Sequence, residues 1–198
     1  MSSRKLVVTI MILAAVSMAG ILTPVPKAFA QAHDVAITQI SVYNSIIAMG
    51  QTLKINVRVE NHGTSIETFN VEVYVNDALA ASAQTVVDLA LAGQVDLVFS
   101  WDTTAFALGE YTLSAVAILP TDENLGDNTL AYGTVTVIFP GDVNQDHVVN
   151  MADIAAAALA FNSSPGLPNW NPYADMNGDG KVELRDIALA AINFLKTY

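Results

Sequence analysis

The sequence predicts a multidomain protein in which an all-β immunoglobulin-like sandwich of about seven strands precedes a small all-α domain. Two observations support this prediction. Apolar and polar residues alternate with a period of two through much of residues 31–138, as expected for strands with one buried and one solvated face. Residues 142–198 instead contain two Asp- and Asn-rich stretches with the same pattern, and an Ala-rich segment follows each of them.

Residues 1–30 have the features of a secretory signal peptide. Two basic residues precede a mostly apolar stretch over residues 6–22, and Ala28 and Ala30 form the small-x-small pattern that signal peptidase cleaves. We expect cleavage after Ala30 and a secreted, extracellular protein that can be attached to the cell surface. The alternative is an uncleaved N-terminal anchor, because an apolar stretch of about 17 residues is just long enough to span a bilayer.

Residues 31–138 are predicted to form the sandwich. The clearest alternation runs through Leu53, Ile55, Val57 and Val59, which are separated by polar residues. The predicted strands are residues 35–42, 53–59, 69–75, 79–87, 95–101, 111–119 and 130–137. Turn residues separate them, most clearly at 61–63, 76–77, 91–93 and 121–128.

A short hinge is predicted at residues 139–141. Pro140 and Gly141 interrupt the strand pattern directly before the first Asp-rich stretch. So short a hinge restricts the relative orientations of the two domains.

The two Asp-rich stretches are predicted to be twelve-residue, EF-hand-like calcium loops, each followed by a helix. A hard divalent cation takes about six to eight oxygen ligands, which such a loop supplies from positions 1, 3, 5, 7, 9 and 12. The first loop offers Asp142, Asn144, Asp146, the carbonyl of Val148, Asn150 and Asp153. The second loop offers Asp175, Asn177, Asp179, the carbonyl of Lys181, Glu183 and Asp186. Two Ca²⁺ ions are therefore expected, and folding is coupled to binding because the acidic clusters repel themselves without a cation.

Three details of the loops carry further expectations. Position 6 must turn with a positive φ, which Gly180 adopts freely and His147 less readily. Both loops end in Asp where the EF-hand pattern has Glu. At position 8, Val149 and Val182 are expected to form a short β-bridge. The first loop is expected to bind more weakly, because it contains His147 and one fewer carboxylate.

Residues 141–198 resemble a dockerin module in their duplicated loop and helix, their terminal Asp residues and the connecting segment 168–175. The resemblance implies a small α domain that folds on Ca²⁺ and docks onto a cohesin-like domain of another protein. It also implies that loop positions 10 and 11 face the cohesin. Here these residues are Met151, Ala152, Leu184 and Arg185. They depart from the hydroxyl pair common in dockerins, so a more apolar interface than that with a cellulosome-type cohesin is expected.

Residues 31–138 resemble the CARDB family, a cell-adhesion-related sandwich of bacteria and archaea. The resemblance lies in the stretches 33–40, 50–63, 73–76 and 123–128. It implies a spacer or adhesive module that is not itself a catalyst.

Composition and motifs exclude several classes of function. The formal net charge of −11 makes nucleic acid and acidic membrane surfaces poor partners, and the absence of Cys excludes a disulfide-stapled scaffold. No G-x-S-x-G, P-loop or dinucleotide motif occurs. His33, His62 and His147 lie in separate segments without metal-ligand spacing. No catalytic residue is predicted, and the protein is expected not to be an enzyme.

The remaining polar and aromatic candidates have structural interpretations. Asp122 and Glu123 are interpreted as solvated loop charges. Trp101 and Trp170 are interpreted as packing residues rather than sugar platforms. Asn162 begins the single N-x-S/T sequon and is a candidate glycosylation site.

These observations favour a non-catalytic calcium-binding adaptor, in which the dockerin-like module docks onto a partner and the sandwich is a spacer or second contact. The first alternative is a structural subunit of an extracellular assembly, in which sandwiches associate with each other and Ca²⁺ only stabilises the C-terminal domain. The second alternative is an accessory carbohydrate-binding protein, although the strands contain no row of aromatic residues to support it.

Overall fold

The computed structural model describes residues 32–198, so the predicted signal peptide or anchor lies outside the described residues. Within these described residues, nine strands are followed by two helices. They are β1 (Val35–Ser41), β2 (Ile46–Ala48), β3 (Thr52–Asn61), β4 (Glu67–Val75), β5 (Ala78–Leu79), β6 (Gln84–Leu89), β7 (Gln94–Asp102), β8 (Gly109–Ile118), β9 (Thr129–Ile138), α1 (Met151–Leu159) and α2 (Leu184–Ile192). Between residues 32 and 198, no helix has the length and apolar character needed to cross a membrane.

The strands form the predicted immunoglobulin-like sandwich of two sheets. One sheet has the order β1-β3-β7, and the other has the order β2-β9-β8-β4-β5, with β6 also paired to β4. Every pair is antiparallel except β2 and β9. Between the sheets, Trp101 is fully buried and makes edge-to-face contacts with Phe106 and Tyr111. The interpretation of Trp101 as a packing residue is therefore confirmed.

The predicted alternation agrees with the observed burial in the central strands. Leu53, Ile55, Val57 and Val59 of β3 are all fully buried, as predicted from their spacing. The single strand predicted over residues 79–87 is wrong, because the chain leaves the sheet after β5 and returns at β6. The β4–β5 hairpin contains only two residue pairs, which is too few to hold the chain in the sheet for longer.

The short strand β2 is absent from the sequence prediction. It lies between two hydrophobic cores, since Ile47 packs into the sandwich core while Ile46 and Ala48 pack against the C-terminal module. Both faces of β2 are thus covered, and its residues form a continuous apolar run without alternation. Its partner β9 follows much later in the sequence, so no local hairpin signal marks it.

The C-terminal module packs directly on this end of the sandwich. Its small core is completed by residues of the sandwich; the buried members are Ile46, Ala48, Ile138, Val143, Ala157, Ala160, Ala174, Met176, Val182 and Ala190. The amide of Ala48 donates to the carbonyl of Met176 at 2.8 Å. Gly141, at the end of the predicted hinge, is itself buried, and a Cβ there would lie 3.1 Å from Ala190 Cα.

Candidate metal centre

The first residue of each Asp-rich loop organises the loop backbone. We number loop 1 (residues 142–153) and loop 2 (residues 175–186) from 1 to 12. The carboxylate of Asp142 accepts the amides of positions 5 and 6 at 3.2 and 3.0 Å. Asp175 accepts the amides of the same two positions at the same two distances. The two copies therefore begin with identical local folds.

The Asp residue at position 12 closes each loop. One oxygen of Asp153 accepts the amides of positions 2 and 3 at 2.9 and 3.1 Å, and the other accepts that of position 9 at 2.8 Å. Asp186 makes the equivalent three bonds at 3.0, 3.3 and 2.9 Å. Both carboxylates are completely buried. The terminal Asp thus lies inside the loop and ties its start to the beginning of the helix.

Loop 1 brings three carboxylates to one point. One oxygen from each of Asp142, Asp146 and Asp153 lies within 4.8 Å of the others. In each of these three carboxylates, one oxygen accepts only a single backbone N–H bond and therefore retains a lone pair for a metal ion. This all-oxygen donor set fits a hard cation such as Ca²⁺, which prefers carboxylates and carbonyls at about 2.3–2.6 Å.

The other predicted ligands lie at positions 3, 7 and 9. Some of them form hydrogen bonds within the loop, and others are exposed. At position 3, Asn144 and Asn177 each donate to the position 5 carboxylate at 3.0 Å. At position 9, Asn150 caps α1 by accepting the amide of Ala152 at 2.7 Å, and it also donates to the position 7 carbonyl of Val148 at 3.3 Å. In loop 2, Glu183 and Lys181 at positions 9 and 7 are exposed. In loop 1, the carboxylates of positions 1, 5 and 12 are therefore the part of the site in which the ligand atoms lie close together.

The two loops differ in their surroundings. Loop 2 faces the sandwich: a Cβ at Gly178 would lie 3.0 Å from Leu53 Cδ1, and one at Gly180 would lie 3.1 Å from Tyr43 Cβ. Burial there raises the pKa of Asp175 to about 7, and the neighbouring carboxylates of Asp186 and Asp179 add to the increase. Positions 3 to 7 of loop 1 are exposed.

Position 6 has the predicted backbone conformation in both loops. The φ angle is 68° at His147 and 85° at Gly180. The left-handed conformation is costly for most residues with a side chain and is free of that cost for Gly. His147 therefore adds backbone strain to loop 1 that loop 2 does not have.

The predicted bridge between Val149 and Val182 is wrong. Val149 instead exchanges backbone hydrogen bonds with residues 195–196, which follow α2, and Val182 with residues 162–163, which follow α1. The isolated β-bridge in this region joins Val148 to Thr197. Each loop is thus hydrogen-bonded to the residues that follow the helix of the other repeat, and these bonds hold the two repeats together. Sequence periodicity identifies equivalent positions but does not specify which backbones pair.

Tyr198 is a contact of loop 1 that the sequence patterns did not reveal. Its hydroxyl donates to Asp142 Oδ2 at 2.9 Å, and burial and this carboxylate raise the pKa of Tyr198 to about 12. Its ring stacks on Phe139 at a centroid distance of 4.4 Å and contacts His147 edge-on at 4.9 Å. In the sequence, this contact could have been anticipated only from the aromatic character of Tyr198 and Phe139.

The predicted partner-binding residues lie at the surface. Met151 and Leu184, which begin α1 and α2, are 64% and 72% exposed, and Ala152 and Arg185 beside them are also exposed. Arg185 Nη2 lies 3.5 Å from Gln51 Oε1 of the sandwich, so the start of α2 is close to the sandwich. The sequon residue Asn162 is exposed in the turn after α1.

One interpretation of the sandwich loops is wrong. Asp122 is a structural acceptor rather than a solvated charge, since its carboxylate accepts the amides of Val35 and Asn124 and the side-chain amide of Asn128. The prediction that no histidine cluster has metal-ligand spacing concerned the histidines alone, and it did not address the spatial neighbours of His62. The fold brings it within 4.8 Å of carboxylates from two distant segments, which spacing along the chain cannot predict.

Comparisons with known proteins agree with this architecture. A family model for CARDB matches residues 32–118, and a model for the dockerin type I domain matches residues 140–195. No curated protein matches the chain.

The solved structures that are similar to part of this chain include two from archaea. The CARDB domain of a Pyrococcus furiosus protein, in complex with di-metal ions, has 22% sequence identity and a TM-score of 0.46. The match covers 55% of this chain and 91% of that one. A domain of a Methanosarcina acetivorans protein has 21% identity and a TM-score of 0.44, with coverage of 55% and 94%.

CARDB and dockerin are non-catalytic domain families, and dockerin domains bind calcium and cohesin partners. The chain therefore contains a CARDB domain followed by a dockerin type I domain.

Proposed function

We propose that this protein is a non-catalytic, secreted or cell-surface adaptor whose dockerin domain docks onto a cohesin-like domain of another protein when Ca²⁺ is bound. The observation that carries the proposal is the dockerin match over residues 140–195, combined with exposed apolar side chains at the start of both helices. The CARDB sandwich is the spacer or second contact.

Two Ca²⁺ ions hold the docking surface in shape, one in each loop. In loop 1, Asp142, Asp146 and Asp153 supply the carboxylates, and Asp175, Asp179 and Asp186 do so in loop 2. The equivalence of the backbone hydrogen bonds made by positions 1 and 12 supports assigning an ion to both loops. Because position 12 also accepts the amide at the helix N-terminus, metal binding and the orientation of the helix are linked.

The contact surface of the dockerin domain is apolar. Met151 and Leu184 lie directly after loop position 9, and Leu159 and Ile192, at the far ends of α1 and α2, are 80% and 72% exposed. Exposed apolar side chains on a small module favour a protein partner over water, since their burial is the main driving force for association. Arg185 is the single charged residue among the predicted contacts.

The experiment is capture from the surface fraction of the producing organism, with the purified chain as bait. We expect one cohesin-bearing protein to be retained in Ca²⁺ and released by chelator. The double variant Met151→Asp, Leu184→Asp should lose this partner, because a charge buried against an apolar surface is strongly unfavourable. Leu125→Asp is the matched control, since Leu125 is 73% exposed in a sandwich turn.

The other outcomes distinguish the alternatives. Capture of further copies of this chain alone, independent of Ca²⁺, supports a structural subunit of an extracellular assembly. Retention of the same partner by the double variant shows that docking does not use α1 and α2. For secretion, mass spectrometry of the native protein should find a chain that starts at Gln31, whereas a chain that retains residues 6–22 indicates an anchor.

A further inference from the structure

Three polar residues from separate segments meet at the end of the sandwich that lies away from the dockerin domain. Asp34 directly precedes β1, His62 directly follows β3, and Asp127 precedes β9. One potential ligand atom of each lies within 4.8 Å of the other two. The pairing of β1 with β3, which sets Val35 opposite Asn61, brings the first two residues together.

The backbone brings the third residue into place. The amide of Ile37 in β1 donates to the carbonyl of Asp127 at 3.0 Å. The cluster is well separated from the calcium loops, because loop 2 packs near Leu53 at the start of β3 and His62 follows the end of the same strand. At about 3.3 Å per residue, the two ends of β3 are roughly 30 Å apart.

The cluster and the adjacent Asn128 contain buried oxygen atoms that have no hydrogen-bond partner among the residues that the structure describes. Asp34 is only 5% exposed, and its Oδ1 has no partner among residues 32–198. The same holds, within this described part of the chain, for Oδ1 of Asp127 and Oδ1 of the buried Asn128. Buried carboxylates without a partner are unfavourable unless an ion compensates them. Burial raises the pKa of Asp34, and the nearby carboxylates of Asp127 and Asp122 raise it further.

The histidine presents a ring nitrogen to the carboxylates. His62 Nε2 lies 3.2 Å from Glu60 Oε2. In the neutral tautomer that donates from Nε2 to this carboxylate, Nδ1 carries the lone pair that can bind a metal ion. Nδ1 lies 3.9 Å from Asp127 Oδ2, which is too long for a hydrogen bond. Two ligands about 2.1 Å from one tetrahedral zinc ion lie roughly 3.4 Å apart, so a small adjustment would let both bind the same ion.

Neighbouring residues hold these side chains in position. Asn124 Nδ2 donates to Asp127 Oδ2 at 2.8 Å, and Glu60 orients the imidazole. Asp122 is fully engaged with the amides of the turn and therefore supports the cluster without being a candidate ligand. Metal ligands in proteins are typically oriented by such outer contacts. Here the carboxylate of Glu60 orients His62, and the side-chain amide of Asn124 orients Asp127.

We propose that Asp34, His62 and Asp127 bind a divalent transition-metal ion of the Zn²⁺ class at this end of the CARDB domain. One imidazole nitrogen and two carboxylates match the ligand preferences of Zn²⁺ and similar ions, whereas Ca²⁺ prefers a set made entirely of oxygen. The side chains of His62 and Asp127 are 43% and 35% exposed, so the ion has a path from solvent and room for a water ligand.

The proposal is tested by titrating the purified full chain with Zn²⁺ in an isothermal calorimeter. The buffer contains Ca²⁺ on the order of 10 mM, which occupies the dockerin loops even if their dissociation constants reach about 1 mM. We expect one Zn²⁺ per chain to bind under these conditions. His62→Ala and Asp34→Asn should each lose this binding, while Ca²⁺-dependent behaviour of the dockerin domain stays unchanged.

His33→Ala is the matched control, because His33 is a half-buried histidine near the same end of the sandwich that pairs with Glu67 and lies outside the cluster. This variant should bind Zn²⁺ as the wild type does. Circular dichroism verifies that each variant is folded. The proposal is overturned if the wild type binds no Zn²⁺ in Ca²⁺, if both His62→Ala and Asp34→Asn bind it normally, or if Ca²⁺ itself fills the site.

Discussion

At the scale of single residues, Asp175 is a buried carboxyl of the dockerin domain whose pKa is strongly raised. It is completely buried under the sandwich, and desolvation raises its pKa to about 7 against the opposing effect of the amides that it accepts. In the unfolded chain the same carboxyl ionises near its ordinary value of 3.8. Between these two values the folded state without metal binds more protons than the unfolded state. The stability contributed by Asp175 is therefore present at low pH and is lost as the pH rises through about 7.

This difference predicts how the apo protein responds to pH. In chelator, the melting temperature of the wild type should fall between about pH 4 and pH 7 more steeply than that of Asp175→Asn, which has no carboxyl to ionise. Asp88→Asn, at an exposed position of β6, should retain the wild-type slope. In saturating Ca²⁺ the extra slope should disappear, because the ion stabilises the ionised carboxylate. Equal slopes for wild type and Asp175→Asn in chelator would contradict the burial argument.

At the scale of elements, loop 2 packs closely on the sandwich. Substitutions at two glycines would measure how much this contact contributes to the free energy of unfolding. Gly180 in loop 2 and Gly166 between the repeats both have positive φ, 85° and 93°. A Cβ at Gly180 would lie 3.1 Å from Tyr43, whereas one at Gly166 would meet no atom of residues 32–198 within 4 Å. Gly166→Ala should therefore lower the free energy of unfolding by about 1 kcal/mol, from backbone strain alone. Gly180→Ala should lower it by about 2 kcal/mol or more, because the contact adds to the strain.

Urea unfolding of both variants in chelator measures the two losses without a contribution from bound metal. If the two variants lose the same free energy, loop 2 does not rest against Tyr43.

The same elements indicate which features a sequence reveals. Alternation predicts β3 because its two faces differ in burial, and motif spacing predicts the loops because their ligands lie within twelve residues. β2 has no alternation, since Ile47 and its neighbours are covered on both faces. The crossed pairing of Val149 with residues 195–196 depends on tertiary contacts that no local pattern encodes. The cluster of Asp34, His62 and Asp127 is undetectable for the same reason, since its members are neighbours only after the sheets form.

At the scale of the whole molecule, the CARDB and dockerin domains share a core, which a sequence with a three-residue hinge between them does not indicate. Ile46, Ala48 and Ile138 of the sandwich pack among the apolar side chains of the module. The buried side chain of Asn44 joins the two domains by donating to the carbonyl of Pro172 at 2.7 Å and to that of Asp175 at 3.2 Å. These contacts are lost when either domain unfolds, so the free energy of unfolding of each domain depends on the other being folded. Calcium bound in the loops should therefore stabilise the sandwich as well.

We predict that in Ca²⁺ the protein unfolds in a single calorimetric transition, with equal calorimetric and van't Hoff enthalpies, and that chelator shifts this transition as a whole. Asn44→Ala should lower the free energy of unfolding by about 2 kcal/mol, because it leaves buried carbonyls without a donor, and should split the transition in two. Asn70→Ala is the control: Asn70 is an exposed residue of β4 whose side chain accepts a hydrogen bond from Thr85, so little change is expected. Two transitions in the wild type, of which only one responds to Ca²⁺, would mean that the shared core does not couple the domains.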